Sequence, residues 1–157
     1  MRYNKAMRRG LTLIEIMIAV LLIVLLTFVY FIVANPAGQL AGSRNKTRKL
    51  DLETLMVAIR QNVADQGNET FSCAAGPIPT STTNMGSAAG SYNIAPCLVP
   101  IYLLALPFDP SASSAYYNSV SDYNTGYSIS GNTSGTITTI TLSAPHAELN
   151  QTVSITQ

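Results

Sequence analysis

The chain predicts an α+β fold. A long N-terminal α-helix, transmembrane in its first half and amphipathic in its second, packs on a small antiparallel β-sheet head. Three observations predict this. Residues 11–34 form one apolar run broken by a single carboxylate. Leu52, Leu55, Met56, Ile59 and Val63 then recur at helical spacing. From residue 67 onward the chain is rich in Ser, Thr, Asn, Gly and Pro, with short β-branched stretches between turn signals.

The first ten residues read as a basic leader. Arg2, Lys5, Arg8 and Arg9 face no acid before residue 15. Cations flanking an apolar helix stay on the cytoplasmic side, so the N-terminus is expected inside and the remainder outside the cytoplasm.

Leu11 to Ala34 is 24 residues. As a helix it is about 36 Å long, enough to cross a hydrocarbon core of about 30 Å with some tilt. From Ile16 to Ala34 only Thr27 and Tyr30 carry polar side-chain atoms. A helix apolar all round is buried in protein or embedded in lipid. The rest of these 157 residues offers little chain to bury it, so lipid is expected.

Glu15 is the anomaly. A carboxylate at the middle of a spanning helix costs about 2.5–3.5 kcal/mol, and less near an end. Between Gly10 and Arg44 there is no Lys, Arg or His. The partner is therefore expected from another molecule or from chemistry on this one. Cleaving the Gly10–Leu11 bond creates an amine on Leu11. Positions 11 and 15 are i and i+4, so amine and carboxylate share one helix face. In a low-dielectric setting such a pair is far stronger than in water. The cut also removes four surface cations, each worth about 1 kcal/mol near an anionic leaflet.

The string Arg8-Arg9-Gly10-Leu11-Thr12-Leu13-Ile14-Glu15, followed by a long apolar helix, resembles the leader of type IV pilins and type II secretion pseudopilins. The resemblance implies cleavage after Gly10 by a prepilin peptidase and N-methylation of Leu11. It implies that Glu15 aids assembly by meeting a neighbour's terminal amine. Leu11 stands where the family most often has phenylalanine, so N-methyl-leucine is the expected product. The family's mid-helix proline is absent, and Pro36 comes later. An ordinary secretory signal has a shorter apolar core with no acid at its head. Ala34 and Ala37 still offer small residues that mimic a signal-peptidase site.

Residues 35–66 read as a kink followed by an amphipathic helix. Asn35-Pro36-Ala37-Gly38 interrupts the pattern, because proline removes an amide donor and glycine adds backbone freedom. The amphipathic helix is expected from about residue 40 to 66, with Gly67 as its stop. Arg44, Lys46, Arg48 and Lys49 form a basic cluster on it. Such a run touches nucleic acid or anionic headgroups, or is a solvated helix face, and the solvated face is preferred. No nucleic-acid partner is expected. From Leu50 to Gln157 one base, Arg60, stands against seven acids, a net −6. A basic collar under an acidic head suggests electrostatic contact between stacked copies.

Residues 67–157 are expected to form the extracytoplasmic head. Thr125–Ser130 alternates, with Tyr127 and Ile129 on one face. Gly131–Gly135 reads as a turn. Thr136–Leu142 and Gln151–Thr156 read as strands. A sheet of three or four strands should lie on the amphipathic helix. Cys73 and Cys97 fit no zinc or C-x-x-C redox spacing. Outside the cytoplasm they are expected to form a disulfide closing an otherwise structureless stretch, with two free thiols as the alternative.

Leu104-Ala105-Leu106-Pro107-Phe108-Asp109-Pro110, then Tyr116-Tyr117, resembles in part a stretch of major pseudopilin heads. Ser111-Ala112 replaces the tryptophan-glycine pair usual there, and a plain proline-bounded turn is an equal reading. Some pseudopilin heads hold calcium with loop aspartates. Asp109, Asp122, Asn118 and Asn124 are the candidate ligands here, but no D-x-D-x-D-G loop exists, and surface turn residues are the preferred reading. No cofactor is expected.

Catalysis is not expected. His146, the only histidine, follows Pro145 in a turn. No G-x-S-x-G, H-E-x-x-H or P-loop pattern occurs. Asp51 and Glu53 sit on an expected solvated helix turn. The expected function is structural: a subunit of a type II secretion pseudopilus or type IV pilus-like filament. Expected partners are copies of itself and related pilins, the prepilin peptidase, an inner-membrane assembly platform and, before assembly, membrane lipid. The alternative is a single-pass anchored binding or adhesion module, which has no use for Glu15.

Overall fold

The computed structural model describes residues 10–67, 70–134 and 137–157. The basic leader before Gly10 lies outside the described residues, as does Glu69. The architecture is α+β, a long two-part helix and a small antiparallel sheet. The chain divides into two units, Met1–Gln39 and Leu40–Gln157.

In the first unit, α1 spans Leu13–Ala34. Its run of Leu, Ile and Val contains no proline or glycine, so nothing interrupts the helical ladder. None of its residues is buried, and its large apolar side chains are 52–78 % exposed. The helix is long and apolar enough to cross a membrane. The Thr27 hydroxyl donates back to the Ile23 carbonyl at 2.7 Å, so that donor is met within the helix.

Asn35 separates α1 from α2 (Pro36–Gln66). Its backbone is left-handed, φ 34°, a conformation that asparagine tolerates better than most side chains. The Asn35 side chain accepts the Gly38 amide at 3.2 Å and so caps α2. Pro36 then takes the first helical position, where its missing N–H has no cost. A Cβ on residue 38 would lie 2.7 Å from Asn35 Nδ2, which explains the glycine. The interruption expected at residues 35–38 is present: the helix breaks at Asn35, and Pro36 starts its second part.

In the second unit, α2 lies on the sheet. Leu52, Leu55, Met56 and Ile59 are buried at the expected spacing. They pack with Tyr123, Tyr127, Ile129 and Leu142 of the sheet and with Met85, Ile94 and Leu98 between. Gly67, at φ 61°, ends the helix.

The sheet has five strands, not three or four: β1 (Thr83–Gly86), β2 (Tyr116–Ser119), β3 (Asp122–Ser134), β4 (Ile137–Ser143) and β5 (Ser154–Thr156). The order is β1-β3-β4-β5, with β2 also on β3, and every pairing is antiparallel. Residues 131–134, expected to turn, continue β3 and pair with β4 through Gly131↔Ile140 and Ser134↔Ile137. Residues 135 and 136 lie outside the described residues. Cys73 and Cys97 form a disulfide with Cα atoms 5.3 Å apart. The stretch it closes is not structureless: β1 lies within it, and the short helix α3 (Ala95–Leu98) contains Cys97.

Candidate functional site

Two constellations carry polar chemistry, one in each unit. The first is the start of α1. Gly10 and Leu11 are exposed and precede the helix in non-helical backbone. A peptidase needs an accessible bond outside a helix, and Gly10–Leu11 is one. Thr12 is the N-cap, with φ −79° and ψ 150°. Its Oγ1 accepts the Glu15 amide at 3.3 Å, and Glu15 Oε2 accepts the Thr12 amide at 3.4 Å. This is a capping box, which satisfies two of the orphan amides at a helix start. Glu15 therefore accepts one hydrogen bond within the chain, from an amide and not from a cation. The signal was in the sequence: Thr12 and Glu15 stand three apart before an apolar run. At 3.4 Å the amide contact is long, and it engages one of the two carboxylate oxygens. The other has no hydrogen-bond partner among the described residues.

The second constellation is a buried ionic clamp in the head. Arg48, expected among solvated cations, is completely buried. Its Nε and Nη2 donate to the two oxygens of Asp109 at 2.8 and 3.1 Å. Its Nη1 donates to Asn45 Oδ1 at 2.7 Å and to Glu148 at 3.1 Å, and Nη2 also donates to Ser111. One turn earlier on α2, Arg44 grips Glu148 bidentately at 2.6 and 2.7 Å. Asn45 closes the set: its amide donates to the Glu148 carbonyl at 2.8 Å, and its oxygen accepts the Glu148 amide at 2.9 Å. Three residues on one face of α2 thus hold two remote loops, at 109–112 and 148–151. Fork geometry is why arginine does this and lysine would not.

The electrostatics follow from burial and pairing. Burial pushes the Asp109 carboxyl up. Arg48 and the Ser111 and Ala112 amides outweigh that and hold it below the ordinary carboxylate value. The Glu148 carboxyl is held down to about 2, chiefly by its hydrogen bonds from Arg44. Asp51 was expected on a solvated turn. It instead accepts the buried Tyr127 hydroxyl at 2.6 Å, and burial raises its carboxyl while that bond partly offsets the rise.

Of the four candidate calcium ligands, Asn118 and Asp122 meet in a hydrogen bond. Asp109 is neither a surface turn residue nor free for a metal, because both its oxygens are taken by a guanidinium. Asp122 is exposed and accepts from Tyr116 and Asn118 at 2.9 Å each. Asn124 accepts from Asn84 and from the Gly126 amide. Among the described residues no three His, Cys, Asp or Glu side chains gather in a way that could hold a metal. His146 is exposed in a turn. Within the stretch 104–110, Leu106 and Asp109 are buried while Leu104 is 93 % exposed. This stretch anchors the clamp.

Comparison of the chain with protein-family models, with curated proteins and with solved structures gave no match.

Proposed function

We propose that the chain is a filament subunit of the type IV pilin or type II secretion pseudopilin kind. In this proposal it inserts with its N-terminus in the cytoplasm, is cut after Gly10 and stacks through α1. The carrying observation is an apolar helix with no buried residue that opens on a carboxylate one turn beyond an accessible Gly10–Leu11 bond. An exposed apolar rod must bury itself in lipid or against its own kind. The disulfide supports a head outside the cytoplasm.

The cut leaves the Thr12 amide intact, so the capping box survives. It adds an amine at Leu11, a cation for the second Glu15 oxygen of the same or a neighbouring chain. Neutralising Glu15 removes the cost of carrying it between helices. The α1 helices then pack by van der Waals contact and the heads face outward. A head-to-tail contact of this kind does not close on itself, so growth is open and helical. Such growth pushes cargo outward, as in secretion, or extends a pilus. The partial resemblance at 104–117 favours the secretion type.

The test is intact mass and fractionation with and without the prepilin peptidase. The expected mature chain begins at Leu11, is one methyl heavier, and leaves the membrane only when cut. A chain beginning at Gly38, or filaments formed by molecules that retain residues 1–10, refutes the proposal.

A further inference from the structure

We propose that the seam between α2 and the open edge of β5 binds an extended acidic segment of a partner protein, taken up as an added strand. This goes beyond the filament reading and does not rest on it.

β5 is the last strand of the sheet. Its inner side is used by β4. Gln157 and Ile140 exchange both backbone hydrogen bonds, at 2.7 and 3.0 Å, and the Ala144 amide donates to Val153 at 2.9 Å. In an antiparallel ladder such bonded pairs alternate with non-bonded ones. Ser154 pairs with Ser143 and Thr156 with Thr141 in the intervening positions. The N–H and C=O groups of Ser154 and Thr156 therefore point away from the sheet. They offer the main-chain bonds that an incoming strand needs.

The space beside this edge is already open. A cavity of about 440 Å³ lies between α2 and the chain entering β5, lined by Lys46, Lys49, Gln151, Thr152, Val153 and Ser154. A second, of about 380 Å³, reaches Gln157 at the other end of β5 and is lined by Ile59, Val63 and Phe71.

Charge selects the occupant. Arg44 and Arg48 are consumed by Glu148 and Asp109. Lys46 and Lys49, one helical turn apart, are exposed and pair with no described carboxylate. They line the edge cavity inside a head of net negative charge. Side chains of an added strand alternate between its two faces. A peptide with carboxylates at every second position therefore presents them together to the two lysines, while its backbone pairs with Ser154 and Thr156.

The test uses the full chain in non-ionic detergent micelles. The probe is a blocked hexapeptide alternating glutamate and valine, followed by fluorescence anisotropy. Binding is expected, weakening as salt rises. Lys46→Gln with Lys49→Gln is expected to weaken it at least about tenfold, a difference of about 1.4 kcal/mol. The lysine–valine peptide should not bind. The glutamate–valine peptide N-methylated at alternate amides should lose binding, because it cannot pair with the edge. Ser154→Pro should weaken it as well, and proline is tolerated where an edge N–H faces solvent. If that variant does not fold, the N-methylated peptide decides. Equal binding by the N-methylated peptide overturns the proposal. So does anionic vesicles binding through Lys46 and Lys49 in place of the peptide. If the lysines only guard the edge, no peptide binds and the double variant self-associates, which overturns it too.

Discussion

Arg48→Met is the sharpest perturbation of the head. It deletes the two bonds to Asp109 and those to Asn45, Glu148 and Ser111. Most of those partners are not stranded. Asn45 Oδ1 keeps the Glu148 amide, and Glu148 keeps Arg44. Asp109 alone is left as a buried charge, held by the Ser111 and Ala112 amides at 2.9 and 3.0 Å. Breaking a buried ion pair costs about 3–5 kcal/mol, and the surviving amides place this one near the low end, about 3 kcal/mol. At about 1–3 kcal/mol per molar urea, the unfolding midpoint should fall by about 1–3 M. Six of the eight tyrosines lie in the head, so tyrosine near-ultraviolet circular dichroism reports its unfolding in detergent. Asp109→Asn keeps an acceptor for both amides and removes the stranded charge. Added to Arg48→Met, it should recover about 1–2 kcal/mol. A loss below about 1 kcal/mol for Arg48→Met, or a further loss on adding Asp109→Asn, refutes the clamp as the tie between α2 and the loops.

Three further outcomes are expected. Glu148, with its carboxyl at about 2 against the ordinary 4.5, stays ionised in the folded head after the unfolded chain has taken up its proton. Its stabilisation is thus complete above about 4.5 and lost as pH falls toward about 2, and Asp109 adds to the loss in the same direction. Acid titration of the unfolding midpoint should show this, and Glu148→Gln should flatten the slope. Reducing the Cys73–Cys97 bond, which links residues 24 apart, should cost about 3–4 kcal/mol by chain entropy, read as the urea midpoint with and without reductant. Glu15→Ala should leave membrane insertion intact but stop filament growth, scored by shearing and electron microscopy; normal filaments would exclude a role for the carboxylate in assembly.

The α-helical part of the fold was legible because its signals are local. The apolar run of α1, the spacing of Leu52, Leu55, Met56 and Ile59, and the stop at Gly67 each depend on neighbours within two turns. The Thr12–Glu15 cap is equally local, two residues three apart before an apolar run. Arg48 shows the limit. It stands four residues before Leu52, on the same apolar stripe, and that placement marks it as inward-facing. Its partners, 61 and 100 residues away, leave no local trace. Strands β1 and β2 were missed for a related reason. Thr83–Gly86 and Tyr116–Ser119 are short and rich in Asn, Gly and Ser, so their conformation comes from pairing with β3. Residues 131–134 are strand and not turn because hydrogen bonds to β4 override the preference of Gly131 and Asn132 for turns.

The clamp also changes what the basic cluster can do between molecules. Four cations looked like a collar available to neighbouring copies. Two of them, Arg44 and Arg48, hold the head together, so replacing all four by glutamine would destabilise the head and confound any readout of assembly. Lys46 and Lys49 are the separable pair. Exposed substitutions of this type change stability by no more than about 0.5 kcal/mol. If assembly is driven by the apolar surface of α1, the Lys46→Gln, Lys49→Gln variant should polymerise normally while its binding of an acidic peptide falls. Loss of filaments from this variant, with the head still folded, would instead place the growth contact on α2 and remove α1 from sole control of assembly.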